Sequence, residues 1–178
     1  MFYAGIGSRQ TPKDVCHLMT RFAAYAQEKK LILRSGHAKG ADIAFEKGVS
    51  HSSYMQIFLP WKGFNGASNA PHYLYGWKTP ELEKYALKMA ESYHPNWDAC
   101  SEGAKKMHAR NCQQILGPYL DSPVKFVVCW TQNASGKGGT GQALRLAKSL
   151  DIPIFDFGVF DLMAQAHSLK AFVEGLFK

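Results

Sequence analysis

Apolar residues along this chain fall into two alternating patterns: short runs rich in β-branched side chains, and longer stretches repeating every three to four positions. Residues 2–6 are the first apolar run and predict a strand that ends in Gly5-Ile6-Gly7-Ser8-Arg9. Thr11-Pro12 is a helix-start signal, after which Val15, Leu18, Met19, Phe22, Ala23 and Ala26 recur at helical spacing. Residues 31–33 predict a second strand, closed by Arg34-Ser35-Gly36-His37-Ala38-Lys39-Gly40, and residues 41–48 a second helix. A third strand is expected at 55–59, stopped by Pro60. Residues 61–79 carry many aromatics and glycines with no clear period, and read as an irregular loop. Helices are then predicted from Pro80 to about residue 93 and from Ser101 to Ile115. Residues 124–130 predict a fourth strand, 152–155 a short last one, and 159–178 one or two terminal helices.

Strands alternating with helices predict an α/β fold, a Rossmann-like doubly wound parallel sheet with helices on both faces. The length of 178 residues, with no internal repeat or low-complexity segment, suits one domain. In such a sheet the carboxyl ends of all strands lie along one edge, and ligands bind where the strand order reverses. With the common order 3-2-1-4-5, the first and fourth strands flank that crevice.

Composition narrows the classes. A hydrophobic fraction of 46% and a charged fraction of 20% are ordinary for a globular protein. The net charge of +7 raises the prior for anionic partners, although it also serves solubility. No run has the length of a membrane span, and the N-terminus lacks the form of a signal peptide, so neither a membrane partner nor export is expected. Cys16, Cys100, Cys112 and Cys129 make no CxxC pair. They read as buried free thiols in a reducing cytosol, with neither a disulfide framework nor a zinc site expected.

Three of the predicted strands end in glycine-bearing loops with cations or hydroxyls. These loops hold Gly7, Ser8 and Arg9; Ser35, Gly36, His37, Lys39 and Gly40; and Gly136, Lys137, Gly138, Gly139 and Thr140. Glycines let backbone N–H groups approach an anion, a helix N-terminus favours it, and an arginine offers a bidentate fork. Simpler roles exist for several of these residues: a tight turn for the glycines, a surface charge for Arg9, a loop cap for His37. Asp42 opens the second helix, where a carboxylate favours the helix dipole with or without a ligand. Arg110 and Asn111 follow Lys105 and Lys106 on one helix, which is either a solvated basic face or one whose Arg110 and Asn111 face the crevice and meet a second phosphate or a ribose. Trp130, at the end of the fourth strand, is placed to touch a base. Trp61, Phe64, His72, Tyr73, Tyr75 and Trp77 crowd the irregular loop, where they stack on a base, pack the loop or form a subunit interface.

The ordered set of motifs resembles the SLOG superfamily of Rossmann-like nucleotide-binding proteins, which includes DprA/Smf, YspA-type and Lonely-guy proteins. Residues 34–42, RSGHAKGAD, resemble its second loop, and Gly5-Ile6-Gly7-Ser8-Arg9 its first. Residues 105–111 resemble the G-x-x-R-N helix of YspA-type proteins, and Gly136-Lys137-Gly138-Gly139-Thr140 is similar to their PGG-x-GT turn. The resemblance implies a phosphorylated nucleotide or ADP-ribose-like ligand, no cofactor, a homo-oligomer, and a bacterial or phage source. Lonely-guy enzymes cleave a ribose–base bond with a Glu at the position that Ala143 resembles, so their route is not expected here. Gln142, beside it, can hydrogen-bond a ribose but supplies no charge. No catalytic residue is assigned, although Asp42, Glu46 or Asp98 can stand in as the carboxylate.

Three functions follow. The first is binding of a nucleotide-derived ligand to sense or sequester it. The second is a nucleotide-processing enzyme of the N-glycosidase or phosphoribohydrolase type. The third is binding of single-stranded DNA as in DprA, against which stand the lack of a winged-helix region and a charge not concentrated in one run.

Overall fold

A computed structural model describes residues 1–178. The first half runs β1 (Phe2–Gly5), α1 (Lys13–Glu28), β2 (Ile32–Ser35), α2 (Ala41–Gly48), β3 (Met55–Leu59) and β4 (Tyr73–Tyr75). The second runs α3 (Pro80–Ser92), α4 (Glu102–Leu116), β5 (Val127–Cys129), α5 (Gly141–Ser149), β6 (Ile154–Asp156) and α6 (Leu162–Gly175). All strands are parallel in one six-stranded sheet of order β4-β3-β2-β1-β5-β6. The central pair is β1 with β5, where Ala4 lies opposite Val127 and Gly5 opposite Val128. This is the order expected from the sequence, extended by one edge strand.

Burial on both faces explains why the central strands are continuous apolar runs rather than alternating ones. Successive side chains point to opposite faces of the sheet. Tyr3, Phe126 and Val128 join a core with Met19 and Phe22 of α1, Phe45 of α2, and Leu169 and Val173 of α6. Ala4, Val127 and Cys129 join the opposite core with Ala86 of α3, Cys112 and Ile115 of α4, and Leu144 of α5. Helices therefore cover both faces, the doubly wound arrangement.

The expectation of a structureless 61–79 segment is corrected. Tyr73–Tyr75 pairs in parallel with β3, Ile57 opposite Tyr73 and Leu59 opposite Tyr75. A three-residue edge strand is too short to show a period, and its half-exposed Tyr-Leu-Tyr carries no apolar run. The first helix also begins differently: Pro12 is its N-cap, while the Thr11 hydroxyl donates to the Ser8 carbonyl at 2.7 Å. Residues 159–178 hold one helix, capped by the Asp161 carboxylate accepting from the Ala164 N–H. No helix is long and apolar enough to cross a membrane.

Candidate functional site

The loops after β1, β2 and β5 meet at the carboxyl edge, and backbone hydrogen bonds tie them together. The Ser8 N–H donates to the Trp130 carbonyl at 3.1 Å, and the Ser8 carbonyl accepts from the Ala41 N–H at 3.4 Å. Close approach demands small residues here. A Cβ on Gly7 would lie 2.7 Å from that of Ala41 and 3.0 Å from the Trp130 nitrogen. The Ser8 hydroxyl accepts from the Gln10 N–H at 3.0 Å, and Ser35 Oγ, fully buried, donates to the Gly5 carbonyl at 2.7 Å. Both hydroxyls thus shape their own loops.

Two consecutive residues of α4 brace the other loops. Arg110 Nη1 donates to the carbonyls of Gly36 at 2.7 Å and Phe58 at 3.2 Å, and lies 3.9 Å from Asp42 Oδ2. Asn111 Nδ2 donates to the Gly139 carbonyl at 3.2 Å. Both side chains were expected to reach a ligand; the structure instead engages them with protein carbonyls, Arg110 in the interior with 4% of its surface exposed. Asp42 is equally buried and accepts from the Ala38 N–H at 3.4 Å. Burial pushes its carboxyl up to about 7, against the opposing pull of Arg110. His37 adopts a left-handed φ of 58°, its carbonyl accepts from Asn65 Nδ2, and its Nδ1 lies 2.8 Å from Glu46 Oε2. Burial raises the Glu46 carboxyl and His37 opposes that. Asp98 is exposed in the α3–α4 loop.

The third loop rests on Asp156 at the end of β6. Its carboxylate accepts from the Thr131 N–H at 2.9 Å, from the Thr131 hydroxyl, and from the Gly158 N–H at 2.9 Å. Thr131 Oγ1 in turn accepts from the Gly136 N–H at 3.0 Å. Gly136 and Gly138 have φ of 61° and 75°, and Gly138 and Gly139 stay exposed at the start of α5, with Thr140 as its N-cap. This exposed turn stands at a helix N-terminus, as an anion site requires. Gln142 does not take part. It is fully buried with Nε2 3.5 Å from Cys112 Sγ, on the α4 side of α5, so the expected ribose contact is corrected to an interior position.

What the edge does expose is cationic. Arg9 follows β1, Lys39 follows β2, Lys62 follows β3, Lys78 follows β4 and Lys137 follows β5, and all five are exposed. None of them enters an ion pair. In sheet order they stand as Lys78, Lys62, Lys39, Arg9, Lys137, one per strand. At about 4.8 Å between strands the five strand ends from which these loops rise span about 19 Å. Aromatic rings interleave with it: Trp61 is 42% exposed, Tyr75 53% exposed, and Trp77 half-buried. Beside Trp77 and Lys78 a cavity of about 260 Å³ opens against α4, lined also by Thr79, Lys106 and Gln113. Trp130 is half-buried and packs on the core below the crevice.

This architecture has a solved counterpart. The chain is similar in fold to DNA processing protein A from Helicobacter pylori. The two superpose with a TM-score of 0.63 over 99% of this chain and 80% of that one, at 16% sequence identity. That protein was described for a unique single-stranded DNA binding mode. No protein-family model and no curated protein matches this chain. At 16% identity the likeness concerns the fold.

Sequence reasoning missed Thr131 and Asp156, which hold the base of the glycine turn. The signal was available in part: a single acid directly after the predicted strand 152–155. It also missed the row, whose members lie far apart in sequence.

The buried Asp42 leads to a prediction with a definite sign. Its folded carboxyl titrates above its ordinary value of 3.8, so the folded state holds a proton that the unfolded state releases first. Stability from this group is therefore present below about 4 and lost as pH rises to about 7. Asp42→Asn, which keeps an acceptor for the Ala38 N–H, is expected to gain stability relative to the natural chain across that window. Urea midpoints of both chains at several pH values check it; a constant difference would refute it.

Proposed function

We propose that this chain binds a phosphorylated nucleotide polymer, single-stranded nucleic acid, across the carboxyl edge of its sheet. The observation that carries the reading is the row of one exposed cation after each of five neighbouring strands, longer than one phosphate can use. Successive backbone phosphates would meet Lys78, Lys62, Lys39, Arg9 and Lys137, while the exposed N–H groups of Gly138 and Gly139 cradle one of them. Trp61, Tyr75 and Trp77 offer faces on which unpaired bases stack. A duplex hides its bases and gives those rings nothing to do. The likeness of fold to a protein described for single-stranded DNA binding supports the same choice.

The test is fluorescence anisotropy with a labelled oligothymidylate over a range of salt. The triple variant Arg9→Ala, Lys39→Ala, Lys137→Ala is expected to bind ~30-fold more weakly, with the slope of log K against log salt reduced by about 2. These side chains are exposed and unpaired, so the fold is kept. Binding that ignores salt, or is unchanged in the triple variant, would overturn the reading.

A second reading keeps the same loops for a free nucleotide or ADP-ribose-like ligand. It is favoured by the glycine turn at the α5 N-terminus, which suits one phosphate group. Mass spectrometry of a co-purified small molecule would support it, and release of free base from added nucleotides would make it enzymatic.

A further inference from the structure

We propose that His94, Cys100 and His108 form a binding site for one thiophilic divalent transition-metal ion, zinc foremost. The three residues are far enough apart in sequence, as H-x5-C-x7-H, that only the fold brings them together. Their candidate ligand atoms all lie within 4.8 Å of one another. Cys100 Sγ is 3.7 Å from His94 Nδ1 and 3.8 Å from its Nε2, and the imidazole centroids of His94 and His108 are 4.4 Å apart. Zinc–sulfur and zinc–nitrogen bonds of about 2.3 and 2.0 Å at a tetrahedral angle put sulfur and nitrogen about 3.5 Å apart. The 3.7 Å to His94 Nδ1 is close to that edge, and the 3.8 Å to Nε2 means that the imidazole ring turns as one nitrogen takes up the ion.

Each donor is held by structure that does not depend on a metal. His94 directly follows Tyr93, the C-cap of α3, whose carbonyl accepts from Arg145 Nε at 2.6 Å. Cys100 directly precedes Ser101, the N-cap of α4, whose hydroxyl accepts from the Ala104 N–H. His108 sits in the middle of α4, 8% exposed, with a buried Nδ1 that has no hydrogen-bond partner. A buried imidazole nitrogen left unpartnered is costly, and a metal ion or the neighbouring Gln142 amide can relieve it. His94 Nδ1 also accepts from the Asn96 N–H at 3.2 Å, a hydrogen bond that ligation through this nitrogen would displace and ligation through Nε2 would keep. Trp97 covers one side, its ring 6.1 Å from His94 and 6.4 Å from His108, and supplies the apolar wall that metal sites commonly have.

The donor set decides the ion. Two imidazoles and a thiolate suit zinc and its cobalt analogue, and do not suit magnesium or calcium, which take oxygen. Three protein ligands leave the fourth position to water. Thiolate and metal bind in exchange: the Cys100 proton is released to solvent as the sulfur–metal bond forms. The ion would clip the 94–100 loop to α4, the helix whose Arg110 and Asn111 brace the crevice loops. Such a site contains no CxxC pair, and the proposal departs from the sequence's expectation of no zinc site.

The full chain, stripped with a chelator and dialysed, is titrated with zinc by calorimetry and with cobalt by absorption spectroscopy. One ion per chain is expected, and the cobalt complex should show a thiolate-to-cobalt charge-transfer band with the strong visible bands of four-coordination. Cys100→Ser should lose the charge-transfer band and bind at least ~100-fold more weakly, and His94→Gln should bind as weakly while keeping the band. Both positions lie in a half-exposed loop, and circular dichroism confirms that the variants fold. Absence of one-to-one binding, a cobalt spectrum without a thiolate band, or undiminished affinity in both variants would overturn the proposal. The last result would place the ion on exposed histidines such as His17 or His51.

Discussion

Arg110→Met is expected to destabilise the chain by about 3–5 kcal/mol, the range for removing one partner of a buried, hydrogen-bonded charge pair. The reason lies in what stays behind. The Gly36 and Phe58 carbonyls lose their donor, and Asp42 loses the cation 3.9 Å away while remaining 3% exposed. Methionine keeps much of the volume, so the loss reports polar groups rather than a cavity. Because Asp42 already titrates near 7, losing Arg110 favours its protonated form further. The deficit should therefore be smaller at pH 5 than at pH 8. Adding Asp42→Asn to Arg110→Met should recover part of the loss, as replacing both members of a buried pair generally does. Urea unfolding of the four chains at both pH values measures this. A deficit under about 1 kcal/mol, or no recovery in the double variant, would show that Arg110 is not the brace the geometry indicates.

That role was not legible in the sequence, although the residue was. Arg110 and Asn111 stood out by resemblance, and both do lie at the crevice loops. Direction was the missing quantity: a motif shared with ligand-binding proteins does not say whether a guanidinium faces solvent or a neighbouring carbonyl. The sheet was far more legible. Strands buried on both faces must be continuously apolar, so residues 2–6, 31–33, 55–59 and 124–130 announced themselves, and the order of the first, second, third and fourth is the one common to doubly wound sheets. Tyr73–Tyr75 had no such signal, because an edge strand half in water needs none. The cationic row was invisible for another reason. Arg9, Lys39, Lys62, Lys78 and Lys137 look dispersed along the chain, and only a parallel sheet, which returns every strand's end to one edge, sets them side by side.

The junction of the first two loops depends on one glycine, and Gly40→Ala should break it. Gly40 has φ 82° and ψ −122°, a conformation that an L-residue with a Cβ rarely adopts. The added Cβ would also lie 2.5 Å from the Ser8 carbonyl oxygen and 2.9 Å from the Arg9 Cα, both backbone atoms that cannot rotate away. The same Ser8 oxygen accepts from the Thr11 N–H, the Thr11 hydroxyl and the Ala41 N–H, so displacing it loosens three hydrogen bonds at once. A loss of ~3 kcal/mol or more is expected, together with weaker oligothymidylate binding as Arg9 and Lys39 move apart. Gly136→Ala separates strain from collision: its φ is 61°, but its Cβ would meet nothing nearer than Leu144 at 4.0 Å. That variant should lose only ~1 kcal/mol, the cost of the left-handed backbone alone. Thermal unfolding of both, scored beside anisotropy, separates the two contributions. Equal losses would mean that backbone strain, not the contact with Ser8, keeps alanine out of Gly40. The first and second loops would then be positioned independently, and the spacing of Arg9 and Lys39 in the row would have to come from the sheet alone.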